Sequence, residues 1–446
     1  MSLIRATGGT VYSGVPWIGD IPQTWSVKKF RFLFRESPEK IEDEVIGEML
    51  SVSGYRGIEI KQYDDENRRR TDDELIGYRI VRPGQLVVNT MWLNYAGLGV
   101  SSFEGHVSPA YRSYSFLTEV DRRYIHHLMR SSLYVLGYTQ LLTGIRPNSL
   151  QMSREDLMDF PVLLPPLAEQ TAIASFLDRE TGKIDALVEE QKQLIELLKE
   201  KRRAVISYAV TKGINPDAPM KNSGVEWLGY VPEHWTVKPL KLAASVQTGT
   251  AKGKDNSGRE TIQVPYLRVA NVQDGYIDLA DVAEIEIPAS DLGRYLLRKG
   301  DVLMNEGGDF DKLGRGHVWD GQIDPCIHQN HVFAVRPREV SSAWLNMVTS
   351  SAYAQFYFMS RSKQSTNLAS ISSTNVMELP LVLPPPREQV EILEHLHRQL
   401  ESLSQLGKEC NLAVQILQER RAALISAAVT GKIDVRSLPS VSQAAE

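Results

Sequence analysis

The sequence predicts an α+β protein with a pseudo-twofold internal repeat, two globular domains separated by a pair of long antiparallel coiled-coil helices. Three observations lead there. A heptad pattern of apolar residues runs through Leu163 to Thr211 and returns at Val382 to Thr430 without a change of register. A short Trp-Gly-Pro segment opens each half of the chain, at Ser13 to Lys28 and again at Ser223 to Lys238. Between these repeats lie two segments whose interiors share little with each other.

In chain order the expected parts are a cap segment (residues 1–28), a first variable domain (29–160) and a central spacer helix (161–213). A second cap (214–238), a second variable domain (239–379), a C-terminal spacer helix (380–433) and a flexible tail (434–446) complete it. Each cap pins two tryptophans, Trp17 and Trp25 or Trp227 and Trp235, between Gly and Pro turns, which reads as a packed core element rather than an aromatic binding site. In the variable domains RPGQLVVN (Arg82 to Asn89) answers RKGDVLMN (Arg298 to Asn305), each a turn feeding an apolar strand that ends at Asn. Short strands mix with helix-like stretches, so each domain is expected to be a compact α+β unit.

For the helices, Ile173, Leu177, Glu180, Ile184, Leu187, Gln191, Leu194, Leu198, Lys201, Val205 and Tyr208 alternate steps of four and three, a heptad seam. Adding 219 to each number gives Ile392, Leu396, Gln399, Leu403, Leu406, Cys410, Ala413, Leu417, Arg420, Leu424 and Ala427, polar breaks included. Pro165-Pro166 and Pro384-Pro385 stand where a missing N–H does no harm, and Gly213 and Gly431 stand where a positive φ ends a helix. Each helix is expected to run roughly 40 residues, about 60 Å. A seam of that length cannot be buried in one small domain, so the two copies are expected to pair and to act as a spacer. Phe176, Val188, Ile195 and Ile206 are apolar but off the seam, and are expected to be covered by another protein.

At 446 residues, 42% apolar and 24% charged, the chain has the composition of a soluble globular protein. It has no apolar run long enough to span a membrane, and MSLIRATGGTVYSG lacks the apolar stretch of a signal peptide, so a cytoplasmic protein is expected. Cys326 and Cys410 provide no disulfide framework, which suits a reducing compartment. A net charge of -5 counts against a non-specific nucleic-acid coat and leaves room for local basic patches.

Catalytic patterns are mostly missing. GTAKGKD (Gly249 to Asp255) has the wrong spacing for a phosphate loop and Asp where a magnesium-holding hydroxyl would stand. Cys326, His328 and His331, with His317 upstream, offer zinc-ligand chemistry without a second cluster to complete a site. Neither a metal nor a cofactor is therefore expected in this chain.

Polar and basic loops are the better candidates, for contact with double-stranded DNA. They are Arg68, Arg69, Arg70, Asn94, Tyr95 and Arg112 in the first domain. In the second they are Lys252, Lys254, Arg259, Arg268, Asn271, Asp309, Lys312, Arg315 and His317. Arg and Lys serve phosphates or guanine, Asn suits adenine, and the surrounding glycines let backbone approach a duplex. Two similar supports with dissimilar heads have the logic of half-site recognition.

Four stretches carry a family resemblance: SGVEWLGYVPEHW, LPPLAEQTAIASFLDRETGKIDALVEEQ, LKEKRRAVISYAVTKG and DVLMNEGGDFDKLGRGHVWDGQIDPCIHQNHVFAVRP. With the order cap, variable domain, long helix, twice over, the chain resembles the specificity subunits of type I restriction-modification systems along essentially its whole length. The resemblance implies that each variable segment is a target recognition domain reading one half of a split asymmetric site. It implies helices that fix the unread gap and dock two modification subunits, with motor-nuclease subunits joining for cleavage. S-adenosylmethionine, ATP and magnesium are then expected in those partners, and this chain is a noncatalytic subunit. A turn inserted near Leu194 should change the gap alone, and Ile195→Lys should weaken assembly. The alternatives are a stand-alone sequence-specific DNA-binding protein, which would bind its site without partners, and a nucleic-acid enzyme with an unrecognised site, which would turn over alone.

Overall fold

The computed structural model describes residues 9–63, 69–144, 150–253, 257–308, 313–365 and 368–435. Two compact units divide the chain, residues 1–192 with 412–446 and residues 193–411. The division runs through both long helices. Each unit therefore owns one cap, one head and a stretch of each helix.

In the first unit the cap pairs Thr10–Tyr12 with Asp20–Pro22, and Ser26–Lys29 with Pro161–Leu164, the strand that leads into the first long helix. The second unit repeats both pairings with Met220–Asn222 on Tyr230–Pro232 and Thr236–Pro239 on Pro380–Leu383. The tryptophans are core: Trp25 and Trp235 are buried, Trp17 stacks on Phe160 at 5.5 Å and Trp227 on Tyr353 at 6.0 Å.

Though their sequences diverge, the heads share a topology. The first has an antiparallel sheet in the order Phe34–Glu36, Tyr111–Phe116, Leu86–Asn89, Leu98–Val100. The second answers with Ala244–Thr248, Val332–Pro337, Val302–Asn305, Gly316–Val318. A second sheet in each head contains one parallel pairing, Gly105–Val107 on Glu48–Ser53 and Ile327–His328 on Thr261–Leu267. Alternation of apolar residues fixes these registers, since a slip of one residue would turn each core face outward.

The long helices run Leu167–Lys212, 46 residues, and Pro386–Val429, 44 residues. At each N-terminus a buried glutamine, Gln170 or Gln389, donates its amide to the carbonyl of the first proline, Pro165 or Pro384, at 2.8 and 2.9 Å. Each C-terminus meets the cap of its own unit. Gly431, at φ 72, lies so close to Pro22 that a Cβ would come within 2.6 Å of its ring, and Gly213, at φ 75, lies against Trp235. Within each unit one helix thus starts at the cap and the other ends there, so the two segments run antiparallel. Both feed the core: Ile173, Leu177, Ala428 and Val429 pack with Tyr124, Tyr134 and Phe160, while Ile206, Val210, Ile392 and Leu396 pack with Trp235, Trp344 and Phe358. Each such isoleucine, leucine or valine contributes about 1.5–3 kcal/mol by leaving water.

The buried stripe corrects the expected seam. It follows Ile173, Leu177, Thr181, Ile184, Val188, Gln191, Ile195, Leu198, Arg202, Ile206 and Ala209, buried at both ends and half-buried between. The same stripe appears 219 residues later, so the repeat holds while every second position from Glu180 on, and each of the last three, moves on by one. Of the polar residues that the heptad reading left in the seam, Lys201 is exposed, and Glu180 is half-buried beside the buried Thr181 and pairs with Arg179 and Lys183 at 2.9 and 3.0 Å. Val188 and Ile206 are accordingly covered by this chain, at 2% and 1% exposed, as is Phe176 in the first core, and Ile195 lies half-buried on the stripe. None of these four is the free apolar surface expected for a partner. The outward positions are Leu187, Leu194, Leu197 and Tyr208 on the first helix and Leu406, Leu412 and Ile416 on the second, all exposed.

Candidate nucleic-acid interface

In the first head, Leu86–Asn89 and Leu98–Val100 are joined by a loop that carries Asn94 and Tyr95 on a 3-10 turn, Leu93–Tyr95. In the second, the equivalent strands Val302–Asn305 and Gly316–Val318 flank the stretch containing Asp309, Lys312 and Arg315, with His317 on the second strand. Both loops leave from a buried asparagine, Asn89 or Asn305. Asn94 and Tyr95 in one head and Arg315 and His317 in the other, chosen separately from the sequence, thus fall between equivalent strands of the shared topology or at their edge. Asp309 and Lys312 themselves lie outside the described residues, as do Arg68 and Lys254.

Tyr95 is exposed, and Asn94 is half-buried with its side-chain oxygen unpartnered among the described residues. Arg69 and Arg70 are exposed, their guanidinium groups over the rings of Tyr63 and Tyr78 at 5.7 and 5.8 Å. Such stacking holds the planar group while its N–H edge stays free for a phosphate. In the second head Lys252 and Arg259 are exposed and line a pocket of about 430 Å³ with Glu284 and Arg294. Arg315 is half-buried. His317 keeps a buried Nδ1 with no partner among the described residues, and burial pulls its pKa below the usual histidine value, with the nearby Arg202 adding to the effect.

Two expected contacts are internal instead. Asn271 is buried: it donates to the carbonyls of Asp278 and Asp281, both at 2.9 Å, and accepts from the Arg268 N–H at 2.8 Å, so its amide closes a loop rather than facing adenine. Arg112 lies on the sheet with its guanidinium 3.3 Å from Glu36, a carboxylate that also takes Arg79 at 3.3 Å and Arg154 at 3.4 Å. Arg268 pairs with Asp281 at 2.8 Å on the surface.

The Cys326 region is core. Cys326 and His328 are buried, burial pushes the Cys326 thiol up to about 12, and His331 pairs with Glu306 at 2.7 Å. No cluster of three or more metal-ligating side chains occurs among the described residues. No helix there is long and apolar enough to cross a membrane.

Sequence reading missed Trp92, which is exposed beside Tyr95 with ring centroids 5.8 Å apart. Its signal was a tryptophan between an asparagine-ended strand and a glycine. It also missed Arg202, whose guanidinium lies against the turn at Gly275 in the second unit.

Fold and surface together define a two-headed, internally repeated scaffold with polar and aromatic loops at equivalent places on its heads. The chain is 26% identical over 318 residues to the specificity subunit of the type I restriction enzyme EcoKI of Escherichia coli (strain K12), covering 70% of this chain and 65% of that one. To the StySPI specificity subunit of Salmonella potsdam it is 24% identical over 317 residues, covering 70% and 66%. The chain thus spans just under two thirds of the length of these relatives. A solved chain from work on complex assembly and conformational transition of the type I R-M system has the same fold, with a TM-score of 0.58 at 16% identity over 93% of this chain and 99% of that one. No family model matches the chain. In sequence the chain is homologous to type I restriction enzyme specificity subunits, and it shares the fold of that solved chain.

Proposed function

We propose that this chain is the noncatalytic DNA sequence-recognition subunit of a type I restriction-modification complex, each head reading one half of a bipartite asymmetric site. The observation that carries the reading is the repeated frame: one topology twice, with dissimilar loops at the same place, on a protein homologous to specificity subunits. Two heads of one design with different loops suit two different half-sites of one duplex. Phosphate contacts from residues such as Arg69, Arg70, Lys252 and Arg259 would supply affinity that falls with salt, and the loops would supply discrimination.

The helices would set the gap between half-sites and dock two modification subunits, with motor-nuclease subunits joining for cleavage. Leu194 and Leu197 on the first helix, and Leu412 and Ile416 on the second, are exposed apolar residues at nearly equivalent repeat positions, which suits two copies of one partner. Adenine methylation with S-adenosylmethionine, and ATP- and magnesium-dependent cleavage, would belong to those partners.

The test is to mix the purified chain with the methyltransferase encoded beside it and S-adenosylmethionine, then map methylated adenines on random DNA with each protein alone as control. Methylation at one bipartite motif, in the mixture only, is the expected result. A bipartite site bound tightly by the chain alone, with no methylation in the mixture, would make it a stand-alone DNA-binding protein, and turnover by the chain alone would make it an enzyme.

A further inference from the structure

On the loop of residues 90–97, Trp92 is 56% and Tyr95 63% exposed, their rings tilted at 59°. Exposed rings of this size are poorly solvated, and a pliable loop would fold them back onto the head. This loop is held. Ala96 sits at φ 54, the left-handed conformation that L-residues avoid. The Gly97 N–H donates to the Trp92 carbonyl at 2.8 Å, and the Met91 N–H to Asn89 Oδ1 at 3.1 Å. From beneath, the Arg130 guanidinium donates to the carbonyls of Ala96 and Leu98 at 3.1 and 2.6 Å and to that of Gly54 at 3.0 Å. One guanidinium spent on three carbonyls fixes the tip and the neighbouring hairpin together.

The place of this tip says what it meets. Its equivalent in the second head is the glycine-rich, mixed-charge stretch leading to Arg315 and His317, whose glycines let backbone approach a duplex and whose Arg315 suits a phosphate or guanine. Equivalent loops on two related heads face one kind of partner. Trp and Tyr lack the paired donors and acceptors that read a base edge. What they offer is flat apolar faces that stack on bases or part a base step.

We propose that Trp92 and Tyr95 form a wedge that enters double-stranded DNA at one base step of the half-site read by the first head, so that the step is recognised by how readily it unstacks. This rests on the DNA-recognition reading and deepens it. A pyrimidine–purine step, the most easily unstacked, is the expected target.

The test uses the full chain with its modification subunit and the bipartite duplex obtained by methylation mapping, carrying 2-aminopurine at successive positions of the first half-site. Binding should raise the fluorescence at one step. Trp92→Ala and Tyr95→Ala should each weaken binding about tenfold and abolish that rise, with unfolding temperature and the second half-site unchanged. Wild-type affinity and fluorescence in both variants would overturn the wedge. So would normal DNA binding with loss of the modification subunit, which would make the tip a protein contact. Failure of the recognition reading shows separately and earlier, as no bipartite motif in the mapping.

Discussion

Arg421 of the second long helix grips Asp185 of the first, its Nε and Nη2 donating to the two carboxylate oxygens at 2.9 and 3.3 Å. The Tyr55 hydroxyl donates to the same carboxylate at 2.5 Å, and its ring lies 4.7 Å from the guanidinium. Burial and the Asp185 bond raise the Tyr55 pKa to about 12, so the phenol remains a donor at any physiological pH. One head hairpin is thereby fastened to both helix segments of its unit. Arg202, 219 residues before Arg421, stands against a head turn in the other unit.

The grip should be measurable as coupling. Arg421→Ala and Asp185→Ala are each expected to cost about 1–2 kcal/mol in urea unfolding, kept modest by their partial exposure. The double variant should cost about 1 kcal/mol less than the sum. Strict additivity would show that the pair is geometrically close and energetically idle.

The revised stripe separates two leucine-sized residues that the heptad reading left outside the seam alike: Ile206 is buried and Leu197 is exposed. Ile206→Lys buries a charge in the second core and should destabilise by about 3 kcal/mol or more. Leu197→Lys, at an outward position, should leave unfolding within about 0.5 kcal/mol and weaken retention of the modification subunit in a pull-down. An unchanged pull-down would remove the outer helix face as the docking surface.

Most of the frame was legible because repetition is visible without knowing geometry. The caps, the helix ends at Gly213 and Gly431 and the offset of 219 needed only matching residues. The seam was misplaced because Glu180 and Thr181 both continue the pattern, by steps of three and four. The cost of burying a carboxylate favours Thr181, which is buried while Glu180 is half-buried and paired with Arg179. For the candidate residues, position next to a turn was legible in the sequence and side-chain direction was not. Asn271 and Tyr95 both stand next to turns in the sequence, and whether such a residue points inward depends on carbonyls contributed from elsewhere, here Asp278 and Asp281 for Asn271. Arg112 was lost to Glu36, a partner on a different strand.

Asn271→Ala should therefore behave as a structural lesion. Two carbonyls and one N–H lose their partner, so a loss of about 1–3 kcal/mol in urea unfolding is expected, with the methylated motif unchanged. A changed base in the motif without a loss of stability would return Asn271 to the DNA-facing set.

His328 should give the second unit an acid sensitivity of known sign. Its Nδ1–H donates to the Val332 carbonyl at 2.7 Å, its Nε2 is buried without a partner among the described residues, and burial lowers its pKa from 6.5 to about 4. Below pH 6.5 the unfolded chain takes up a proton that the folded chain refuses until about pH 4. The histidine's contribution is thus complete above pH 6.5 and is lost as pH falls toward 4, at up to about 1.4 kcal/mol per pH unit. Urea unfolding of the wild type and His328→Gln between pH 7 and 4.5 isolates this residue, because the remaining titrations cancel in the difference. The wild-type curve should fall more steeply by close to one proton. Parallel curves would mean that the ring accepts its charge inside the fold.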